Sequence, residues 1–256
     1  MQDSRQQAGA SEGRKQALSE WASKTFLKDY GVPVVTEQVA ATAGQAAQIA
    51  RQIGFPVVLK AHGETLIHKT EGGLVHLHLS SENAVQDAAE KVSRQAGEAL
   101  EGFLLQPHVS GRREFVAGMF RDAEYGPVVM FGLGGIFTEA LSDVTFRLAP
   151  LSPGDAEEML DEIRSRALLG DFRGEAAADR DMLVQALLGI SRAAAENPDV
   201  AEIDINPLLI SPDGGVLAVD ALVIKGAPAP EKQFLPPVSP EAVGALFHPR
   251  SVAFVG

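Results

Sequence analysis

The run Glu202-Ile203-Asp204-Ile205-Asn206-Pro207-Leu208-Leu209-Ile210 decides the fold, together with Val216 to Ile224, which carries Val219-Asp220-Ala221. Two apolar runs around Pro212-Asp213-Gly214-Gly215 predict a hairpin, Ala201 to Ile210 against Val216 to Ile224. Side chains alternate faces along a strand, so Asp204 and Asn206 share one side. Asp220 lies 14 residues beyond Asn206, across the turn. Carboxylate and amide oxygens converging there suit Mg²⁺, a hard cation often held through one or two protein groups plus nucleotide phosphates. A polar, solvated hairpin face is the plainer reading. The cost of burying unpaired carboxylates in strands this apolar weighs against it.

Upstream of the hairpin, Phe103 to Val109, Glu114 to Phe120, Pro127 to Phe131 and Val144 to Ala149 read as strands. A helix starts at Ser152-Pro153, with an N-cap serine and a proline at the first helical position, and runs to about Gly170. A second covers about Asp179 to Glu196. Before this unit, residues 14–100 alternate helices and strands. The first helix, 14–30, has Leu18, Trp21, Ala22 and Phe26 near one face and stops at Gly31. The fold class is α/β, of the α+β kind. The expected boundaries are a mobile tail at 1–13, a first subdomain at 14–101, a second at 102–225 and a linker at 226–240. The stretch Lys225 to Pro240 has five prolines and no periodicity. At 241–256 a strand ending in glycine reads as the start of a further domain.

Other positions stand out for their chemistry. Lys60 ends the apolar strand PVVLK, where an ammonium can lie over a phosphate while its stem covers apolar surface; an exposed strand-end lysine is the plainer reading. His68-Lys69-Thr70-Glu71-Gly72-Gly73 places donors and a titratable nucleophile in one loop, which also fits an ordinary turn. Gly132-Leu133-Gly134-Gly135 after a strand could cradle phosphates, but it is neither a Walker A sequence nor GxGxxG. His76 and His78 share a face without a third ligand, which argues against zinc.

Composition excludes several classes. The chain has 256 residues, a formal net charge of −12 and no cysteine. The acidic balance argues against sequence-independent nucleic-acid binding, which depends on Lys and Arg neutralising phosphates. Without cysteine there is no disulfide, iron–sulfur cluster or thiol nucleophile. Residues 1–17 lack the apolar core of a secretory signal, and no run reaches the roughly 18 apolar residues of a membrane span. The expectation is a soluble, cytoplasmic protein, with no nucleic-acid and no membrane partner.

Taken jointly, the motifs resemble the ATP-grasp domain of NDP-forming acyl-CoA synthetases. This superfamily includes ADP-forming acetyl-CoA synthetase, the succinyl-CoA synthetase β subunit and related bacterial protein lysine acetyltransferases. The resemblance spans about 20–225, in the family's order: Tyr30-Gly31-Val32-Pro33, PVVLK at 56–60, HKTE at 68–71, GPVVMFGLGGIFTE at 126–139, FRLAP at 146–150, LLGDFRG at 168–174, EIDINPLLI at 202–210 and VDA at 219–221. The segment 246–256 resembles the first strand of the family's CoA-binding domain. Leu74 departs from the family, which commonly has a glycine there.

The resemblance implies two subdomains with a nucleotide cleft between them. It implies ATP and Mg²⁺ as ligands and CoA as a substrate of the complete enzyme. Lys60 matches the lysine on the nucleotide phosphates. Gln106, Pro107, His108 and Val109 match the hinge strand beside adenine. Glu114 matches an acidic position near the nucleotide, and Gly134 and Gly135 the loop over the phosphates. Glu139 and Arg147 match polar positions facing the same cleft, and Asn206 and Asp220 the Mg²⁺ ligands. Asp204 matches an acid that meets the phosphohistidine segment, and His68 a histidine that relays a phosphoryl group. The implied activity is an acid–thiol ligase, in which a carboxylic acid, CoA and ATP give acyl-CoA, ADP and phosphate. The implied partners are CoA-binding and ligase domains carrying the main phosphohistidine, in a homo-oligomer. A nucleotide-binding module of a lysine acetyltransferase or other regulatory protein is the alternative.

Overall fold

The structure is a computed structural model that describes residues 15–63, 66, 72–135, 142–228 and 239–248. The expected tail, most of the expected linker and the strand at the C-terminal end lie outside the described residues. Two antiparallel sheets organise the chain. The smaller contains β2 (Gln38–Ala40), β3 (Val57–His62), β4 (Val75–Leu79) and β5 (Gly102–Pro107), in the order β2-β5-β3-β4. The larger contains β1 (Gln16–Ala17), β6 (Arg113–Asp122), β7 (Gly126–Leu133), β8 (Val144–Leu148), β9 (Val200–Ile210), β10 (Val216–Ala218) and β11 (Ala221–Lys225). Its order is β1-β11-β9-β6-β7-β8, with β10 also paired to β9.

Each sheet buries one face under helices. In the smaller unit, α2 (Ala43–Ile53) and α3 (Glu82–Ala96) start at the side-chain caps Thr42 and Ser81. Their Ala46, Ala50, Val85, Ala89 and Val92 close over Val57, Leu59, Ala61, Phe103 and Leu105. Strand alternation then turns Val58, Lys60, Leu104 and Gln106 to the opposite face. In the larger unit, α4 (Pro153–Glu162) begins with a capping box between Ser152 and Asp155. It joins α5 (Arg180–Glu196) over Phe115, Ala117, Met119, Val129, Phe131, Ile203 and Ile205. A last helix, α6, covers Pro240–Phe247.

Two assignments differ from the sequence reading. β5, counted with the second subdomain, pairs with β2 and β3 of the smaller sheet. The first helix, α1 (Glu20–Asp29), was counted with the first subdomain but packs on β11 of the larger sheet, where the Ser23 hydroxyl accepts from the Val223 N–H. The expected apolar stripe of α1 holds in part: Leu18 and Phe26 pack, partly buried, against the core, but Trp21 is exposed. The fully buried face is Glu20, Ser23, Lys24 and Leu27. Glu20 and Lys24 are buried there because they serve the site described next.

Candidate functional site between the two sheets

Lys60 leaves the smaller sheet on the face away from α2 and α3 and meets groups of the larger unit. Its ammonium donates to Glu20 Oε1 at 2.5 Å and to the Val219 carbonyl at 3.2 Å, and lies 3.6 Å from Asp220 Oδ2. Burial works against the charge of Lys60, but the carboxylates of Glu20 and Asp220 outweigh it and hold its pKa above the ordinary lysine value. Lys24, one turn after Glu20, is buried as well. It donates to Glu20 Oε1 at 2.8 Å, to Glu37 Oε2 at 2.7 Å and to Gln106 Oε1 at 3.1 Å. Burial raises the pKa of Glu37, with Lys24 acting in the opposite direction. Among the described residues, Gln106 Nε2 and Glu37 Oε1 are buried without a hydrogen-bond partner.

The hairpin brings the oxygen donors to the same place. Ala221 pairs with Ile205, so the ladder carried one step further sets Asp220 beside Asn206. Asn206 is exposed, and the Asp220 side chain is partly exposed. Among the described residues no group of three or more His, Asp or Glu could hold a metal ion. An amide oxygen and a carboxylate beside a lysine fit a divalent cation that takes its remaining ligands from phosphate and water. Asp204, two residues before Asn206, is half-buried and shares its face. Burial raises its pKa, and the nearby carboxylates of Glu202 and Asp220 add to the effect.

The expected hinge strand is the end of β5. Gln106 and Pro107 pair with Val58 and Val57, and the His108 N–H donates to the Pro56 carbonyl at 3.0 Å. The His108 ring lies 3.9 Å from that of His78, centroid to centroid. Burial, with His78 as a second cause, lowers the pKa of His108. Val109 follows, half-buried.

Glu114, Gly134 and Gly135 form a second group. The Gly134 N–H donates to the Glu114 carbonyl at 2.9 Å. A Cβ at Gly135, whose φ is +70°, would stand 2.9 Å from Glu114 Oε2, so the loop needs glycine there. These residues line a cavity of about 500 Å³ with Leu133, Leu168 and Phe172. Buried Arg113 fixes its floor, donating to Glu175 and to the carbonyls of Leu168, Gly170, Ala176 and Ser211.

Arg147 is not brought to either group. It pairs with Val129, whose side chain faces the helix-covered side of the sheet, and its guanidinium reaches Glu162 at 2.5 Å and Glu158 at 3.4 Å on α4. Its expected place facing the nucleotide cleft is corrected accordingly: alternation along β8 turns residue 147 away from the face that carries Asp204. His68 and Glu139 lie outside the described residues.

Sequence reasoning missed Glu20, Lys24 and Glu37. An i, i+4 Glu–Lys pair normally signals a solvated helix face. The available signal was that positions 20, 23, 24 and 27 recur at helical spacing and end in Leu27.

Two sheets that enclose a lysine from one side and an Asn–Asp pair from the other define a two-lobed nucleotide-type site. A family profile described as an ATP-grasp domain matches residues 9–224, and the chain belongs to this family. It is 37% identical over 212 residues to the acetate–CoA ligase [ADP-forming] I subunit beta of Pyrococcus furiosus, covering 81% of this chain and 91% of that one. It is 36% identical over 204 residues to acetate–CoA ligase [ADP-forming] I of Archaeoglobus fulgidus, covering 78% of this chain but only 30% of that longer protein. A solved structure from Ca. Korarchaeum cryptofilum, a dinucleotide-forming acetyl-coenzyme A synthetase 1 with coenzyme A, Ca-AMPCP and HgCl+, superposes with a TM-score of 0.78. It is 39% identical, over 82% of this chain and 93% of that one. The chain is thus an ATP-grasp domain homologous to those of ADP-forming acyl-CoA synthetases. No helix among the described residues is long and apolar enough to cross a membrane.

Proposed function

We propose that this chain is the ATP-binding, phosphoryl-transferring unit of a cytoplasmic ADP-forming acyl-CoA synthetase. The complete enzyme would convert a carboxylic acid, CoA and ATP to acyl-CoA, ADP and phosphate. The observation that carries the reading is the meeting of Lys60, from the smaller sheet, with Asp220, from the larger, at 3.6 Å. ATP would enter between the sheets, with the base at Gln106 to Val109 and the phosphates at Lys60. Mg²⁺ held by Asn206 and Asp220 would neutralise phosphate charge. Lys60 is charged and fixed by Glu20 before the nucleotide arrives, so little reorganisation remains when negative charge shifts onto the leaving phosphate.

The Korarchaeum enzyme has been solved with Mg-AMPPCP and a phosphohistidine segment pointing towards its nucleotide-binding site. By analogy, the γ-phosphoryl group would end on a histidine of a further ligase unit, each transfer forming a new N–P bond as the previous bond to phosphorus breaks. Asp204 would face that imidazole. His68 would be the way-station on this route, taking the group from ATP as the bond to ADP breaks and handing it to that histidine.

Calorimetric titration of wild type and Lys60→Ala with Mg-ATP tests the site. A roughly tenfold or greater loss of affinity is expected for removal of a charged phosphate contact. Equal affinities would remove Lys60 from it. For His68, acid-labile label from γ-labelled ATP is expected in the complete synthetase lacking its main phosphohistidine, and no label when His68→Ala is added.

A further inference from the structure

Among the described residues, no helix covers the second face of the larger sheet. Its register defines two rows. One runs Leu222, Asp204, Gly118, Met130, Phe146 from β11 to β8; the next runs Ile224, Glu202, Phe120, Val128, Leu148. Phe120 is 41% exposed, Phe146 46% and Leu148 52%. The first two meet edge to face with centroids 6.2 Å apart. On the opposite face of the same strands, Phe115, Ala117, Met119, Val129, Phe131, Ile203 and Ile205 are buried beneath α4 and α5. Single exposed apolar side chains are ordinary, but a contiguous apolar sheet face marks a binding surface.

Two acids interrupt this face, Glu202 and Asp204. Among the described residues neither has a cation or hydrogen-bond donor as partner. A half-buried carboxylate without a partner is costly, and an incoming cation or imidazole would offset that cost. The row containing Asp204 leads, one alternation further along β9, to Asn206 beside Asp220. An occupant of the apolar rows therefore has its edge at the phosphate end of the nucleotide site.

Resting on the reading of the chain as the ATP-binding unit of a synthetase, we propose that the face formed by Phe120, Met130, Phe146 and Leu148 seats the CoA-binding and ligase unit of the same enzyme. That unit would present an apolar surface flanked by a basic or imidazole group opposite Glu202 and Asp204. The apolar rows would supply binding energy, while the acids would set register and direction, since charge complementarity chiefly governs specificity.

The chain has no cysteine, so a single introduced thiol reports on the face. Leu148→Cys and, separately, Phe146→Cys are labelled with a maleimide in the 256-residue chain and in the assembled synthetase, with Trp21→Cys on exposed α1 as control. Modification is read by peptide mass. Labelling at both face positions is expected to slow about tenfold or more in the assembled enzyme, with the control unchanged. Equal rates in the two forms would overturn the proposal. So would concentration-dependent protection in the 256-residue chain alone, which would assign the face to a second copy. Mg-ATP titration of the wild-type chain runs in parallel. Absence of nucleotide binding would refute the synthetase reading itself, separately from the labelling result.

Discussion

Glu20 Oε1 accepts hydrogen bonds from two buried ammonium groups, Lys60 at 2.5 Å and Lys24 at 2.8 Å. The carboxylate belongs to α1 of the larger unit, whereas Lys60 belongs to β3 of the smaller sheet. Lys24 continues the network to Gln106 of β5 and to Glu37 in the connection to β2. One helix turn thus ties Lys60 of β3 to Gln106 at the end of β5.

Glu20→Gln should therefore damage both stability and nucleotide binding. Removing one partner from a buried ion pair typically costs about 3–5 kcal/mol, because the remaining charges stay buried. Urea unfolding should show a loss of that order. In the variant the pKa of Lys60 should fall, so Mg-ATP affinity should decline at alkaline pH before it does in wild type. A Glu20→Gln protein with wild-type stability and an unaltered pH profile of binding would show that the bridge is incidental.

Asp220→Asn and Asn206→Ala should weaken nucleotide binding in the presence of Mg²⁺ far more than in EDTA. Asn206→Ala removes an oxygen ligand, and Asp220→Asn replaces an anionic ligand with a weaker neutral amide oxygen; the latter also removes a negative charge beside Lys60, which favours an anionic ligand in the metal-free state. Metal-free affinity should thus be equal to or greater than wild type in Asp220→Asn. If both variants keep the wild-type ratio of affinities with and without Mg²⁺, these two residues do not hold the cation.

Much of this arrangement was legible in the chain. The strands of the larger sheet follow from short apolar runs between turn residues, and the hairpin at 201–224 follows from Pro212-Asp213-Gly214-Gly215. The common face of Asp204 and Asn206 follows from period two alone. Sheet membership was not legible for Gly102 to Pro107, since an apolar strand carries no mark of which neighbour it will pair with. The polar face of α1 was misread for a different reason. Apolar periodicity locates a core, but here Glu20 and Lys24 are buried because their partners include Lys60 and Gln106 of the other unit. Arg147 lay within a matching motif, and the parity of its position on β8 becomes visible only once the register with Val129 is known.

Arg113 offers a test of the second group of residues. Its guanidinium serves four backbone carbonyls and the Glu175 carboxylate, and so holds the segment around Phe172 against the Gly134–Gly135 loop. Arg113→Met leaves those acceptors unpaired, at a cost of about 3 kcal/mol or more in urea unfolding. Arg113→Lys should recover little of it, because a compact ammonium cannot span five acceptors arranged around a planar fork. Full recovery by lysine would mean that charge alone, rather than the fork, secures the segment.

Asp204 gives a pH-dependent prediction of the opposite sign to most acids. Desolvation raises its folded-state pKa above the ordinary value of 3.8, with Glu202 and Asp220 contributing in the same direction. A group that binds its proton more tightly in the folded state favours folding while protonated. Below about pH 3.8 both folded and unfolded forms carry the proton, and the favourable contribution is complete. As pH rises from there through the elevated folded pKa, the contribution is lost, and the ionised carboxylate destabilises the chain at neutral pH. Asp204→Asn keeps the shape and a neutral side chain at every pH. Its melting temperature should exceed that of wild type at pH 7, and the gap should close as pH falls towards 4. In the assembled synthetase, with the docking proposed above, the same substitution should instead lower phosphoryl transfer, because it removes the charge that the incoming unit would meet. A variant less stable than wild type at pH 7, or a gap independent of pH, would contradict this account of residue 204.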